Sequence, residues 1–131
     1  MTPLRHSVAL LCIALPTAGQ DRPLTGAEFE AIVEGKTMDT YDETGRFGVE
    51  TFLPGRRTLW RDADRCLKGT WTEADGIVCY TYEGDDPGPF CSSFYDRGGW
   101  LMGFEDGIWG KDPIMLYPSQ DVVTCDDFLG S

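Results

Sequence analysis

The chain predicts a mainly β, α+β fold in which one N-terminal helix, at about 25–34, precedes a curved, barrel-like antiparallel meander of seven or eight strands. Three observations carry this expectation. A helix-start signature stands at 24–29, the hydrophobic period changes from helical to two after Gly35, and turn residues recur from there on.

The helix start is Leu24-Thr25-Gly26-Ala27-Glu28-Phe29. Thr25 is placed as N-cap and Glu28, three residues on, closes a capping box, with Leu24 and Phe29 as the hydrophobic staple around it. Phe29, Ile32 and Val33 share a helical face, and Gly35 stands where a glycine ends a helix.

Beyond Gly35, short runs rich in Thr, Val, Tyr, Phe and Trp predict strands near 36–41, 46–53, 56–61, 67–73, 77–83, 90–96, 100–105 and 108–116. Asp75-Gly76 and Asp106-Gly107 are pairs that accept positive φ in tight hairpins. Thr44-Gly45, Pro54-Gly55 and Gly98-Gly99 mark further turns, and 84–89 a looser loop. A flat sheet of so many strands would leave an apolar face and two open edges, so the meander is expected to curl, with the helix over one opening.

At the front, Arg5 and His6 precede the apolar run Val8 to Leu15 and the small residues Ala18 and Gly19, the order of a secretory signal. Residues 1–19 are therefore expected to be a cleavable signal peptide, and 20–131 a single disulfide-bonded β-rich domain, periplasmic or secreted. The apolar run is far shorter than the roughly 20 residues that a membrane-spanning helix needs, so no membrane span is expected. With the leader go Cys12 and His6, the only histidine. Cys66, Cys79, Cys91 and Cys125 remain and imply two bridges in an oxidising compartment, by any of three pairings. If the segments around Cys79 and Cys91 are neighbouring strands, their bridge closes a short loop and Cys66 pins the tail through Cys125.

The formal charge is −11 at pH 7, and losing Arg5 makes the remainder more acidic still. Such a surface repels phosphate backbones, which argues against nucleic acid and toward a cationic protein or a metal ion. Without histidine the triad and histidine-ligated metal chemistries are excluded, and the cysteines lack zinc-site spacing. No cofactor or metal is expected. Asp62-Ala63-Asp64 and Asp85-Asp86 offer hard oxygen ligands but fit no twelve-residue calcium loop. Carboxylates remain for acid-base work, and Glu50, Glu73, Glu83 and Glu105, all on expected strands, are the candidates for a glycosidase-like pair.

Two groups are candidates for ligand binding. Arg56, Arg57, Arg61, Arg65 and Lys68 are gathered in one stretch, and on a strand Arg56, Thr58 and Trp60 would share one face. Trp60, Trp71, Trp100 and Trp109, with Tyr80, Tyr82, Phe90, Phe94 and Tyr95, are a concentrated aromatic set that fills a core or, if the sheet curls, lines a cavity for a small apolar or sugar ligand. Arg56, Arg57, Trp60, Trp71, Tyr80, Tyr82 and Trp100 are the ligand-binding candidates taken from these groups.

Gly69-Thr70-Trp71 carries the Gly-x-Trp found in lipocalins and other calycin barrels, though mid-chain rather than on an early strand. Over roughly 24–104 the chain resembles small exported alphaproteobacterial proteins of unknown function, the DUF995-like group. The likeness rests on Leu24-Thr25 opening a helix, Gly35-Lys36-Thr37, Trp71 through Gly76 to Cys79, and Cys91-Ser92-Ser93-Phe94. The resemblance implies an exported domain with a Cys79–Cys91 bridge, and no catalytic residues. The functional expectation is a monomeric, non-enzymatic exported binding protein for a small ligand or a cationic protein, such as an inhibitor of a basic hydrolase like lysozyme. The alternatives are a carboxylate-dependent glycan hydrolase and a structural cell-envelope component.

Overall fold

The computed structural model describes residues 1–12, 22–121 and 123–126. Part of the apolar run 8–15 and the expected cleavage point at Ala18 and Gly19 lie outside the described residues. Residues 1–12 carry no helix or strand, and Val8, Leu10 and Leu11 are exposed.

Helix α1 spans Gly26–Val33, capped by Thr25, whose Oγ1 accepts from the Glu28 N–H while the Glu28 carboxylate accepts from the Thr25 N–H. Arg22 lies 2.7 Å from the same carboxylate. That hydrogen bond, with the one from the Thr25 backbone, lowers the Glu28 carboxyl to about 2. Gly35, at φ 77°, follows the helix in the left-handed conformation that a side chain would disfavour.

Eight antiparallel strands follow: β1 (Thr37–Asp42), β2 (Gly45–Leu53), β3 (Arg57–Arg61), β4 (Cys66–Ala74), β5 (Ile77–Tyr82), β6 (Phe90–Asp96), β7 (Leu101–Glu105) and β8 (Pro113–Pro118). Each pairs with its sequence neighbours, and β8 pairs back on β1, with Thr40 opposite Leu116, to close the barrel. Closure satisfies the backbone of what would have been two edge strands. The expected mainly β fold of one helix and a curled meander is thus what forms, and the curl is complete.

The last strand lies further along than the residue pattern suggested. Residues 108–112 form a loop in which Gly110 and Asp112 have positive φ, and β8 begins at Pro113. The Asp106-Gly107 turn therefore opens a longer excursion. By contrast Asp75-Gly76, with φ of 52° and 78°, forms the expected two-residue hairpin between β4 and β5.

Strand direction gives the barrel two unlike ends. Helix α1, the Asp75-Gly76 turn and the 97–100 turn lie at one end, and loops 43–44, 62–65, 83–89 and 106–112 lie at the other. The helix plugs its end by inserting Phe29, fully buried, with ring centroids 4.9 Å from Phe94, 5.0 Å from Trp71 and 5.7 Å from Phe52. Backbone hydrogen bonds from Leu24 N–H to Phe94 O and from Gly35 N–H to Phe52 O fix the two flanks of the helix to the rim.

Inward positions alternate large and absent side chains. A Cβ on Gly48 would fall 2.0 Å from the Trp60 ring, one on Gly69 2.6 Å from Tyr82 and one on Gly103 2.7 Å from Phe94. Each aromatic ring therefore lies flat over a glycine of the adjacent strand. That lets an eight-stranded interior, otherwise barely wide enough for side chains, accept several rings.

The disulfides are Cys79–Cys91 and Cys66–Cys125. Cys79 and Cys91 are direct cross-strand partners on β5 and β6. Cys66–Cys125 draws the C-terminal segment over the outer wall, where Arg61 donates to Thr124 O and Arg46 pairs with Asp121. The buried Val49, in register with Arg61 on that outer face, lies in the same region as Val123. The two bridges close stretches of 59 and 12 residues. Loop-closure entropy then predicts that replacing Cys66 and Cys125 by serine lowers the unfolding free energy by about 4 kcal/mol, and replacing Cys79 and Cys91 by about 3 kcal/mol. Urea denaturation of the two double variants checks the order, and a larger loss from the shorter bridge would contradict it.

Candidate functional site

The barrel is filled at the helix end and hollow at the other. A cavity of about 390 Å³ runs from the loop-bearing mouth down to Phe52 and Phe94, the top of the packed layer. Its walls include Trp60, Leu67, Tyr80, Tyr82, Phe90, Phe94 and Ile114, and its polar groups include Thr40, Glu50 and Ser92. All follow from the period of two, since Thr40, Glu50, Trp60, Tyr82 and Ser92 belong to the inward set of their strands.

Glu50 is the chemical centre of this space. It is 3% exposed, lies opposite Trp60 across the β2–β3 pair, and has the Tyr82 hydroxyl 3.0 and 2.9 Å from its two carboxyl oxygens. Burial pushes its carboxyl up to about 7, against the Thr58 and Tyr82 hydroxyls, which favour the charged form. The same burial, with the carboxyl nearby, drives the Tyr80 and Tyr82 phenols well above their ordinary range, so both stay protonated. Thr40 Oγ1 is buried in the cavity wall without a hydrogen-bond partner among the described residues. Among these residues Glu50 likewise has no cationic partner.

The mouth is acidic. Asp62, Asp86, Glu105, Asp106 and Asp112 line it, with Arg65 as the cation among them. Arg65 is held 3.2 Å from Asp62, and Lys111 bridges Asp106 and Glu105 at 3.1 and 3.7 Å. The Glu105 carboxyl is raised, chiefly by its hydrogen bond with Asp112 and against the pull of Lys111.

The residues singled out from sequence divide sharply. Trp60, Tyr80 and Tyr82 come together in the cavity. Trp71 is in the packed layer beneath α1, and Arg56 clamps that layer, its guanidinium 4.5 Å above the Trp71 ring and 3.4 Å from Glu30 on the helix. Arg57 turns back to Pro54 O, and Trp100 stacks on Tyr117 with centroids 5.3 Å apart, away from the cavity. The arginine strip is thus dispersed into separate local contacts. Of the four glutamates expected on strands, Glu50 and Glu105 line the cavity and Glu73 accepts from Gly76 N–H at the closed end, whereas β5 ends at Tyr82, so Glu83 lies in the 83–89 loop and is exposed. Asp62 is occupied as a turn anchor, accepting from the N–H groups of Asp64 and Arg65 and from Trp60 Nε1.

Thr40 and Ser92 were not singled out from sequence. The available signal was positional: Thr40 shares a strand face with Met38, and Ser92 shares one with Phe90 and Phe94. The chain matches no protein-family model, no curated protein and no solved structure.

Because Glu50 is raised in the folded state, its contribution to stability is fully present below the unfolded value near 4.5 and is lost as pH rises through about 7. Glu50→Gln, which cannot ionise, is therefore expected to match the parent protein near pH 4 and to exceed its unfolding free energy by about 3 kcal/mol at pH 8.5. Denaturant titrations of both proteins across that range check the divergence, and parallel curves would contradict it.

Proposed function

We propose that the chain is an exported, non-enzymatic binding protein that holds a small ligand inside its barrel. The observation that carries the proposal is the cavity of about 390 Å³, walled by aromatic rings and floored by a packed layer, with a few polar groups converging on it. Ligand sites have this composition, in which apolar walls supply affinity and sparse polar groups set orientation. An eight-stranded barrel holds one small ligand at most, and hollow examples occur among lipocalins and streptavidin.

Export to the periplasm or the medium is supported by the leader-like order of residues 1–19 and by the two disulfides, which fit an oxidising compartment. Among the described residues no helix is long and apolar enough to cross a membrane. A glycan-hydrolase reading is second, favoured by the Glu50 carboxyl near 7, in the range of a general acid, with Glu105 on the same cavity. It requires sugar release that Glu50→Gln abolishes.

The neutral dye N-phenyl-1-naphthylamine tests the binding proposal. Its fluorescence should rise and saturate at one equivalent of protein. Ser92→Phe, which fills the cavity from β6, should weaken binding about tenfold or more, equivalent to about 1.4 kcal/mol, with the circular dichroism spectrum unchanged. No enhancement with the folded parent protein, or equal binding by the variant, would contradict it.

A further inference from the structure

We infer that the ligand class is a small organic cation, an ammonium group on an apolar frame, with Glu50 as its counter-charge. The inference rests on the cavity-binding proposal and adds the chemistry that selects the ligand.

Four features of the cavity point the same way. First, a carboxyl is buried at 3% exposure with a phenol as its partner and no cation beside it among the described residues. An unpaired buried carboxylate is costly, and the removal of that cost by an incoming positive charge favours a cation over a neutral or anionic ligand of the same shape. Second, Trp60, Tyr80, Tyr82 and Phe90 surround the space, and aromatic faces attract cations through their quadrupole, most strongly where water is excluded. Third, Thr40 Oγ1 is a buried oxygen lining the same space without a partner, able to accept an ammonium N–H. Fourth, the charged groups at the mouth from the other elements are Asp62, Asp86, Glu105, Asp106 and Asp112, against Arg65, which is paired with Asp62, and Lys111, which is paired with Glu105 and Asp106, so acids still outnumber bases. A cleft with a net negative lining and low-dielectric walls concentrates cations and steers them inward.

Binding is then coupled to a proton. Below pH 7 Glu50 must give up its proton to water as the ammonium enters, so affinity falls with pH and a proton is released on binding. Above pH 8 the carboxylate is already formed and binding is proton-neutral.

Three probes of similar size separate the cases in isothermal titration calorimetry: 2-phenylethylammonium, 2-phenylethanol and phenylacetate. At pH 8.5 the ammonium should bind the purified protein at least about tenfold more tightly than the alcohol, and phenylacetate should not bind. At pH 5.5 that preference should shrink about tenfold or more, with close to one proton released per cation bound, read from buffers of different ionisation enthalpy. Glu50→Gln should abolish the preference and the proton release, so that the ammonium binds the variant no more tightly than the alcohol does. The inference is overturned if the ammonium and the alcohol bind equally, if Glu50→Gln keeps the preference, or if the dye binds and the ammonium does not. In that last case the cavity-binding proposal survives, whereas failure of the dye and all three probes with the folded protein removes both.

Discussion

The seating of Phe29 in the end of the barrel is the contact on which the rest depends. Eight strands close an interior just wide enough to be filled, and an open tube of that size would admit water to its full length. Phe29, packed against Phe52, Trp71 and Phe94, makes one half of the interior a dry floor. The other half becomes a cavity only because that floor exists. The capping box at Thr25, the Leu24 and Gly35 backbone hydrogen bonds and the Arg56 clamp all hold the helix where Phe29 can enter. Residues far apart in sequence thus cooperate to place one ring.

Above that floor the same burial acts on chemistry. Glu50 lies one inward step along β2 from Phe52, close enough to the packed layer to lose its water, and the Tyr82 hydroxyl reaches it from the far side of β3 and β4. The carboxyl is consequently poised between charged and neutral near physiological pH. Stability favours the neutral form and a bound cation favours the charged one. A protein that keeps such a group in its interior forgoes stability above neutral pH, a loss that a ligand of opposite charge offsets.

Much of the fold was legible because its signals are local. The capping box, Asp75-Gly76 and the period of two each depend on a few neighbouring residues, and each produced the expected element. The start of β8 was not, because Asp106-Gly107 resembles a tight hairpin while the chain continues through Gly110 and Asp112 before pairing. The site was legible only in part. Trp60, Tyr80 and Tyr82 were visible as aromatics, but nothing local distinguishes them from Trp71, which differs in lying at the end that the helix fills, or from Trp100, which falls in a turn and stacks on the exposed Tyr117. The arginines from Arg56 to Arg65 are close in sequence yet alternate between faces and turns, so proximity along the chain did not become proximity at a site.

The most direct measurement is a carbon-13 NMR titration of the side-chain carboxyls, with the Glu50 resonance assigned by its loss in Glu50→Gln. The expected result is a Glu50 midpoint near 7, set by burial above the packed layer. A midpoint near 4.5, the ordinary value for glutamate, would mean that water reaches Glu50 freely and that the interior is not organised as described.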